Sequence, residues 1–340
     1  MLLPDAVLQR GREVSHRLRL LLGRGLGRLL REALHGSDHL RAADNPAERD
    51  RLLGVSGVDV EHADSSLDLS VQPDSSEARG SSTVRWVLDG LMTELVQLAV
   101  SDGVATITLD SPHNKNALSQ QLTGELLAHL ETAGADDAVR VIVVRSALEV
   151  FCSGADLSEA TTVGMGVGAQ RMVDVQRAIV ANPKPVVARV AGPVRAGGIG
   201  IVAAADISVA GESATFALTE VRLGLAAATI SLTVLPRLTD RAAAYTFLTG
   251  NSFDAMEASR LGLLTLTVPD ADLDEALSTV LTSLLKGAPQ GLRETKKLLN
   301  RTLLADIDTR GKDLAALSAS LFGSPAAQEA MLAFLTRKKK

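Results

Sequence analysis

The sequence is poor in the residues that most often carry chemistry. In 340 residues it has one cysteine, one tryptophan, one tyrosine and six phenylalanines. A lone cysteine excludes an internal disulfide and fits a reducing compartment, so a cytoplasmic location is expected. Aromatic content is 2% against 46% hydrophobic, so the core must be built from aliphatic and alanine packing. None of the six histidines lies after His129. No His/Cys cluster has metal-ligand spacing, and no metal or redox cofactor is expected. Without a downstream histidine to activate them, Cys152, Ser153 and Ser231 do not read as nucleophiles. Cys152 reads instead as a small buried residue. Positive charge is not in excess either. A net charge of -5 and a pI near 5.7 argue against nucleic acid as a partner. No apolar run is long enough to span a bilayer, so no stable membrane insertion is expected.

What is present divides the chain. Its length allows two domains or one large one. Met1 to Leu91 has no Phe and no Tyr. It opens arginine- and leucine-rich around Arg17 to Arg31, as a basic amphipathic helix would. From His35 to Gly80 it is rich in Ser, Asp, Ala and Gly, a composition that favours disorder. A poorly ordered extension over 1–91 is expected, with a normal domain opening at Met92. A partner-binding or membrane-surface tail is the other reading.

From Leu95 the pattern is regular. Val96–Val100, an Asp102-Gly103 turn and Val104–Leu109 predict a β-hairpin. Ser119 to Ala133 predicts a helix with Ser119 as N-cap, and Val139 to Val144 a buried strand. Gly164 to Gly168 reads as a flexible connection, because no strand precedes it and no phosphate-binding lysine follows. A helix is expected around Gln170 to Ala181 and a strand over Val186 to Val190. Strands alternating with helices imply an α/β layered fold. Further on, helices are expected over 242–248, 255–261, 273–285, 291–304 and 326–336, with a short strand at 264–268. The closing Arg337 to Lys340 either complements a helix dipole or meets phosphate groups.

The stretch Val190 to Leu225 organises the rest. A short strand runs into Ala196-Gly197-Gly198-Ile199-Gly200, and an alanine-rich helix follows. A strand that turns into a helix leaves N–H groups unpaired, and glycine lets another molecule approach them. Such a site suits an anion, or an oxygen that becomes one during reaction. Packing glycines in a tight turn are the alternative. Asp206 reads as the structural end of that helix, and Glu159 as a residue on a solvated helix face. Glu220 sits among apolar neighbours. Such surroundings raise a carboxyl pKa toward neutrality, where the group can give and take protons.

Together these segments resemble the enoyl-CoA hydratase/isomerase (crotonase) superfamily, from about Met92 to the C-terminus. The resemblance rests on Asn116-Ala117-Leu118, Ser153-Gly154-Ala155-Asp156-Leu157, Gly192 with Gly197-Gly198, Asp206, Phe216 to Leu225, and Leu235-Pro236-Arg237-Leu238. It implies a spiral of ββα units over 92–285 and a helical region over 286–340 that builds homotrimers or dimers of trimers. It implies an acyl-CoA substrate, with the backbone N–H groups of Ala155 and Gly197 as oxyanion hole and Glu220 as the acid/base. Asn116, Ala117, Leu118, Asp156, Leu157 and Ser158 are expected along the coenzyme A groove. Gly154, Gly198 and Gly200 are further expected substrate-binding positions. Lys296, with Lys297, and Arg337 are expected near the coenzyme A phosphates.

One departure bears on mechanism. The best-known hydratases of the family hold a water between two glutamates. Here the first falls on Gly200 and only the second, Glu220, is kept. The variant looks like actinobacterial enoyl-CoA hydratases and bacterial methylglutaconyl-CoA hydratases. The expected activity is hydration of a 2-enoyl-CoA, with the second water contact from backbone near Gly200 or from another side chain. The rivals are Δ3-Δ2-enoyl-CoA isomerisation on Glu220 alone and a catalytically silent acyl-CoA-binding protein.

Overall fold

Residues 94–159 and 165–337 are described by the computed structural model, without the side chains at 165 and 334–337. The extension expected over 1–91, Met92 itself and the Arg337 side chain lie outside the described residues.

Strands β1 (Val96–Ser101) and β2 (Val104–Leu109) pair antiparallel about Asp102 and Gly103. Both turn residues have positive φ, 51° and 80°, as a two-residue Asp-Gly hairpin requires. The sheet continues in parallel through β3 (Val141–Ser146), β4 (Val186–Val190), β6 (Ile207–Gly211) and β9 (Leu266–Val268), in the order β1-β2-β3-β4-β6-β9. Its β-branched runs bury on both faces, as parallel strands covered on two sides do. Ile142, Val144, Val186 and Ala188 enter the main core. Their alternate neighbours Val141, Val143, Val187 and Val209 form a second cluster, closed by Leu273. A small sheet of β5 (Val194–Arg195), β7 (Thr215–Ala217) and β8 (Phe253–Asp254) lies beside it in chain order, with Phe216 stacked on Phe253 at 5.8 Å.

The helices on the main-core side carry the site. Helix α1 (Gln120–Ala135) is capped by Ser119, whose Oγ accepts from the Leu122 N–H at 3.2 Å. Helices α2 (Met165–Ala181), α3 (Gly197–Ala204) and α4 (Ala228–Val234) follow. Beyond them come α5 (Asp240–Thr249), α6 (Ala255–Leu261), α7 (Leu273–Leu285), α8 (Pro289–Phe322) and α9 (Pro325–Arg337).

Two expectations about helices are corrected. Gly166 and Gly168 belong to the first turns of α2, not to a flexible connection. The helix expected over 291–304 continues to Phe322 as one 34-residue element. Its second half is held by Ile307, Gly311, Ala315 and Ser318, four buried positions spaced three or four apart. Gly311 lets the helix close on α2: a Cβ there would lie 2.6 Å from Val173 Cγ1. Small residues give a weak apolar signal in sequence, and tight packing on α2 supplies the stability instead.

Candidate active site

The loop after β3 is laced into place before it reaches the site. Cys152 bridges to Val194 of β5, and the Arg195 N–H donates to Cys152 O at 2.9 Å. Cys152 is fully buried, and burial pushes its thiol up to about 12, so it is a packing residue as expected. Gly154 then turns with φ +100°. Its carbonyl accepts from the Leu118 N–H at 2.8 Å. The next N–H, that of Ala155, has no partner among the described residues.

A second such donor comes from α3. Ala196, at φ 47° and ψ −122°, precedes the helix and places Gly197 at its first position. An N–H in the first turn has no carbonyl to bind within its own helix. Gly197 cannot take a side chain without disturbance, because a Cβ would lie 2.6 Å from Leu118 Cδ1. Ala155 and Gly197 both line one cavity of about 160 Å³.

Glu220 lines the same cavity. It lies in a 3₁₀ turn, Thr219–Leu223, closed by Gly224 in the left-handed region at φ 69°. The turn is fixed from behind by α9: a Cβ on Gly224 would lie 3.2 Å from the Ala327 backbone nitrogen. The residue as a whole is half-buried, but Oε2 is out of reach of solvent and has no hydrogen-bond partner among the described residues. Burial pushes the carboxyl up to about 7, against a smaller opposing effect of a backbone hydrogen bond. The other two carboxylates on the cavity are engaged. Asp156 accepts from Asn114 Nδ2 at 2.9 Å and from Ser158 Oγ at 2.6 Å. Burial pushes the Asp156 carboxyl up, yet those hydrogen bonds outweigh it and hold the group below its ordinary value. Glu159 accepts from the Gln120 N–H with both oxygens, at 3.2 and 3.0 Å, and so caps α1. That corrects the expectation of a solvated helix face.

Of the expected substrate-binding positions, Leu118, Gly154, Asp156 and Leu157 line the cavity. Asn116 and Ala117 lie behind the wall, and Ser158 is exposed off it. Asn116 is fully buried: its Oδ1 accepts from the Ser111 N–H at 2.7 Å, and its Nδ2 reaches Ser146 Oγ and two carbonyls. It fixes the loop rather than touching the cavity. Three further expectations are corrected. Gly198 faces the core, where a Cβ would lie 2.6 Å from Cys152 Cβ. Gly200 is also buried away from the cavity, and its carbonyl accepts from Thr233 Oγ1 at 3.3 Å. Backbone at Gly200 is therefore not a second contact for a water. Lys296 is buried, and its three donors reach Ile179 O at 2.8 Å, Lys184 O at 2.9 Å and Asp206 Oδ2 at 2.8 Å. No donor is left for a phosphate. Asp206, expected to be structural, is the hub of that network, accepting also from the Val186 N–H and Asn300 Nδ2.

Sequence reasoning missed the far wall, which is formed by Ala226 to Ile230, Met172, Ser318 and Phe322. The first run follows Glu220 directly and is legible as a strap. Nothing in local pattern assigns Ser318 or Phe322 to a cavity closed by elements 88 or more residues earlier. Among the described residues no group of His, Cys, Asp and Glu side chains is placed to hold a metal.

Two backbone donors without partners among the described residues and the Glu220 carboxyl line one cavity, an arrangement that could polarise a carbonyl beside a proton carrier. The comparisons give the family. The model of the enoyl-CoA hydratase/isomerase family matches residues 99–340, and the chain belongs to that family. A solved enoyl-CoA hydratase from Mycobacterium avium is 45% identical, with a TM-score of 0.68 over 72% of this chain and 98% of its own. A solved enoyl-CoA hydratase from Mycobacterium smegmatis is 29% identical, with a TM-score of 0.60 over 72% of this chain and 97% of its own. A Thermus thermophilus protein assigned as an enoyl-CoA hydratase is 34% identical over 202 residues, 58% of this chain and 80% of its own. The crotonase fold expected from the sequence is the fold observed, and its mycobacterial likeness agrees with the actinobacterial look of the sequence.

Proposed function

We propose that the protein adds water across the C2=C3 bond of a 2-enoyl-CoA, giving a 3-hydroxyacyl-CoA. The observation that carries this is the buried, unpartnered Oε2 of Glu220 on the cavity that Ala155 and Gly197 also line. The thioester oxygen accepts from those two N–H groups. They stabilise the negative charge that grows there as water oxygen bonds to C3. Glu220, as carboxylate, takes the proton the water loses and returns it to C2. A carboxyl held near neutrality serves both directions. Coenzyme A is part of the substrate, and no separate cofactor enters the scheme. Assembly as a homotrimer or dimer of trimers, and a cytoplasmic location, belong to the same reading.

The test is loss of the conjugated thioester absorbance of crotonyl-CoA. Glu220→Gln is expected to lower kcat by more than a hundredfold. Unchanged turnover in that variant would overturn the assignment. A second reading is Δ3-Δ2 isomerisation, favoured by Glu220 being the one cavity carboxylate without a hydrogen-bonded engagement elsewhere among the described residues. It predicts growth of the same absorbance from a 3-enoyl-CoA, with no loss of crotonyl-CoA.

A further inference from the structure

Hydration asks more of the site than Glu220 alone provides. A water that attacks C3 needs its oxygen held as well as its proton accepted, and a single contact leaves it free to rotate. Position 200 cannot provide the second contact, because a Cβ there would lie 2.5 Å from Ile230 Cγ2. The ground next to Gly200 is taken by the α4 wall.

That wall carries a hydroxyl of its own. Thr229 lines the cavity and is 9% exposed. Its hydroxyl makes no hydrogen bond among the described residues, whereas its neighbours on the same helix do. Ser231 Oγ donates to Ala228 O at 2.6 Å, and Thr233 Oγ1 to Gln176 Oε1 at 2.6 Å. The residue is buried while its hydroxyl oxygen stays accessible, so the hydroxyl opens on the cavity, where a water can reach it. Thr229 is also held firmly. Gln176 is fully buried, and its Nε2 donates to Thr229 O at 3.2 Å while its Oε1 takes the Thr233 proton. Ile230, the next residue, is wedged against Gly200 of the helix whose first residue is Gly197. The hydroxyl is thus referenced to the oxyanion donor through packed side chains. The cavity also carries Ser318, one turn before Phe322, which packs in the apolar cluster of Leu225 and Met331.

We propose that the Thr229 hydroxyl is the second contact of the attacking water, replacing a carboxylate with a neutral group. This rests on the hydratase reading above. In the step, water oxygen bonds to C3, one water proton passes to Glu220, and Glu220 delivers it to C2. Thr229 keeps its own proton and only orients the water by a hydrogen bond.

The experiment compares two reactions of the same active site. Hydration of crotonyl-CoA needs the water. Exchange of the C2 protons of butyryl-CoA in deuterium oxide needs only Glu220 and the two N–H groups. Thr229→Val keeps the side-chain shape and removes the hydroxyl. It is expected to lower kcat for hydration at least tenfold with KM unchanged, to leave proton exchange within twofold, and to be rescued by Thr229→Ser. Hydration kept within twofold of wild type, or exchange lost in step with hydration, would overturn the role of Thr229. Failure of the wild type on crotonyl-CoA, or full turnover in Glu220→Gln, would instead remove the hydratase reading beneath it.

Discussion

Gly154 and Ala196 meet face to face, and each stands one residue before a free backbone donor of the cavity. A Cβ on Gly154 would lie 3.1 Å from Ala196 Cβ. Both have positive φ, +100° for Gly154 and 47° for Ala196. A non-glycine residue held there costs roughly 1–3 kcal/mol and persists only when its surroundings over-determine it. Here they do: the Ala196 N–H donates to Ala217 O at 3.0 Å, and Arg195 clamps the Thr215 carbonyl and hydroxyl. Gly154→Ala is expected to disturb both donors at once, lowering kcat for crotonyl-CoA, and to lower the melting temperature by a few degrees through the strain of a side chain at φ +100°. A variant as active as wild type would show that the donors do not depend on this contact.

The donor at Gly197 offers a sharper probe. Its N–H cannot be deleted, but a Cβ there would lie 2.6 Å from Leu118 Cδ1 and 3.4 Å from Met172 Sδ, so a branched side chain displaces those side chains on the cavity wall and crowds the donor. Removing one such donor costs about 3–4 kcal/mol of transition-state stabilisation. Gly197→Val should therefore lower kcat a hundredfold or more, as steady-state kinetics on crotonyl-CoA would report.

The Glu220 carboxyl gives two pH dependences. Burial raises it from 4.5 to about 7. The proton-accepting form is the carboxylate, so kcat/KM for hydration should rise with pH and level off above about 7. A profile flat from pH 5 to 9 would mean that another group carries the proton.

The same shift acts on stability with a definite sign. The folded pKa lies above the unfolded one, so the group costs the fold nothing below about pH 4.5 and its cost grows as pH rises to about 7. That gap corresponds to about 3 kcal/mol at most, reduced by solvent screening of a half-buried residue. Glu220→Gln should thus raise stability against urea at pH 8 and leave it unchanged at pH 4. Equal effects at both values would place the carboxyl in solvent.

Position 200 tests why the second carboxylate is missing. With Ile230 Cγ2 2.5 Å from the place of its Cβ, Gly200→Glu should destabilise the fold by about 1–3 kcal/mol or more, without improving hydration. Thermal unfolding and crotonyl-CoA turnover of Gly200→Glu, alone and with Ile230→Ala, would decide whether space alone prevents it.

The Lys296–Asp206 pair predicts a stability effect remote from the cavity. Both ends are hydrogen-bonded and Lys296 is 5% exposed. Removing one partner leaves the other charge buried, at a cost of about 3–5 kcal/mol. Lys296→Met should lower the urea midpoint accordingly while leaving KM for crotonyl-CoA unchanged. A selective rise in KM would restore the phosphate role expected of Lys296 from the sequence.

Much of this protein is written locally. Alternation in Val141 to Val144 fixes a strand buried on both faces, the Asp102-Gly103 pair fixes a hairpin, and Ser119 fixes a helix start, because each depends on neighbours in sequence. Gly197 and Glu220 of the central stretch were legible as candidate site residues for the same reason, and both line the cavity. What tertiary structure alone decided was which side chains have their needs met by distant residues. Lys296 is consumed by α2 and Asp206, Glu159 by α1, and the space at Gly200 by Ile230, while the Thr229 hydroxyl is left without a partner among the described residues. Hydrogen bonding and excluded volume act between residues 30 to 117 positions apart here, and no local pattern records which partner arrives first.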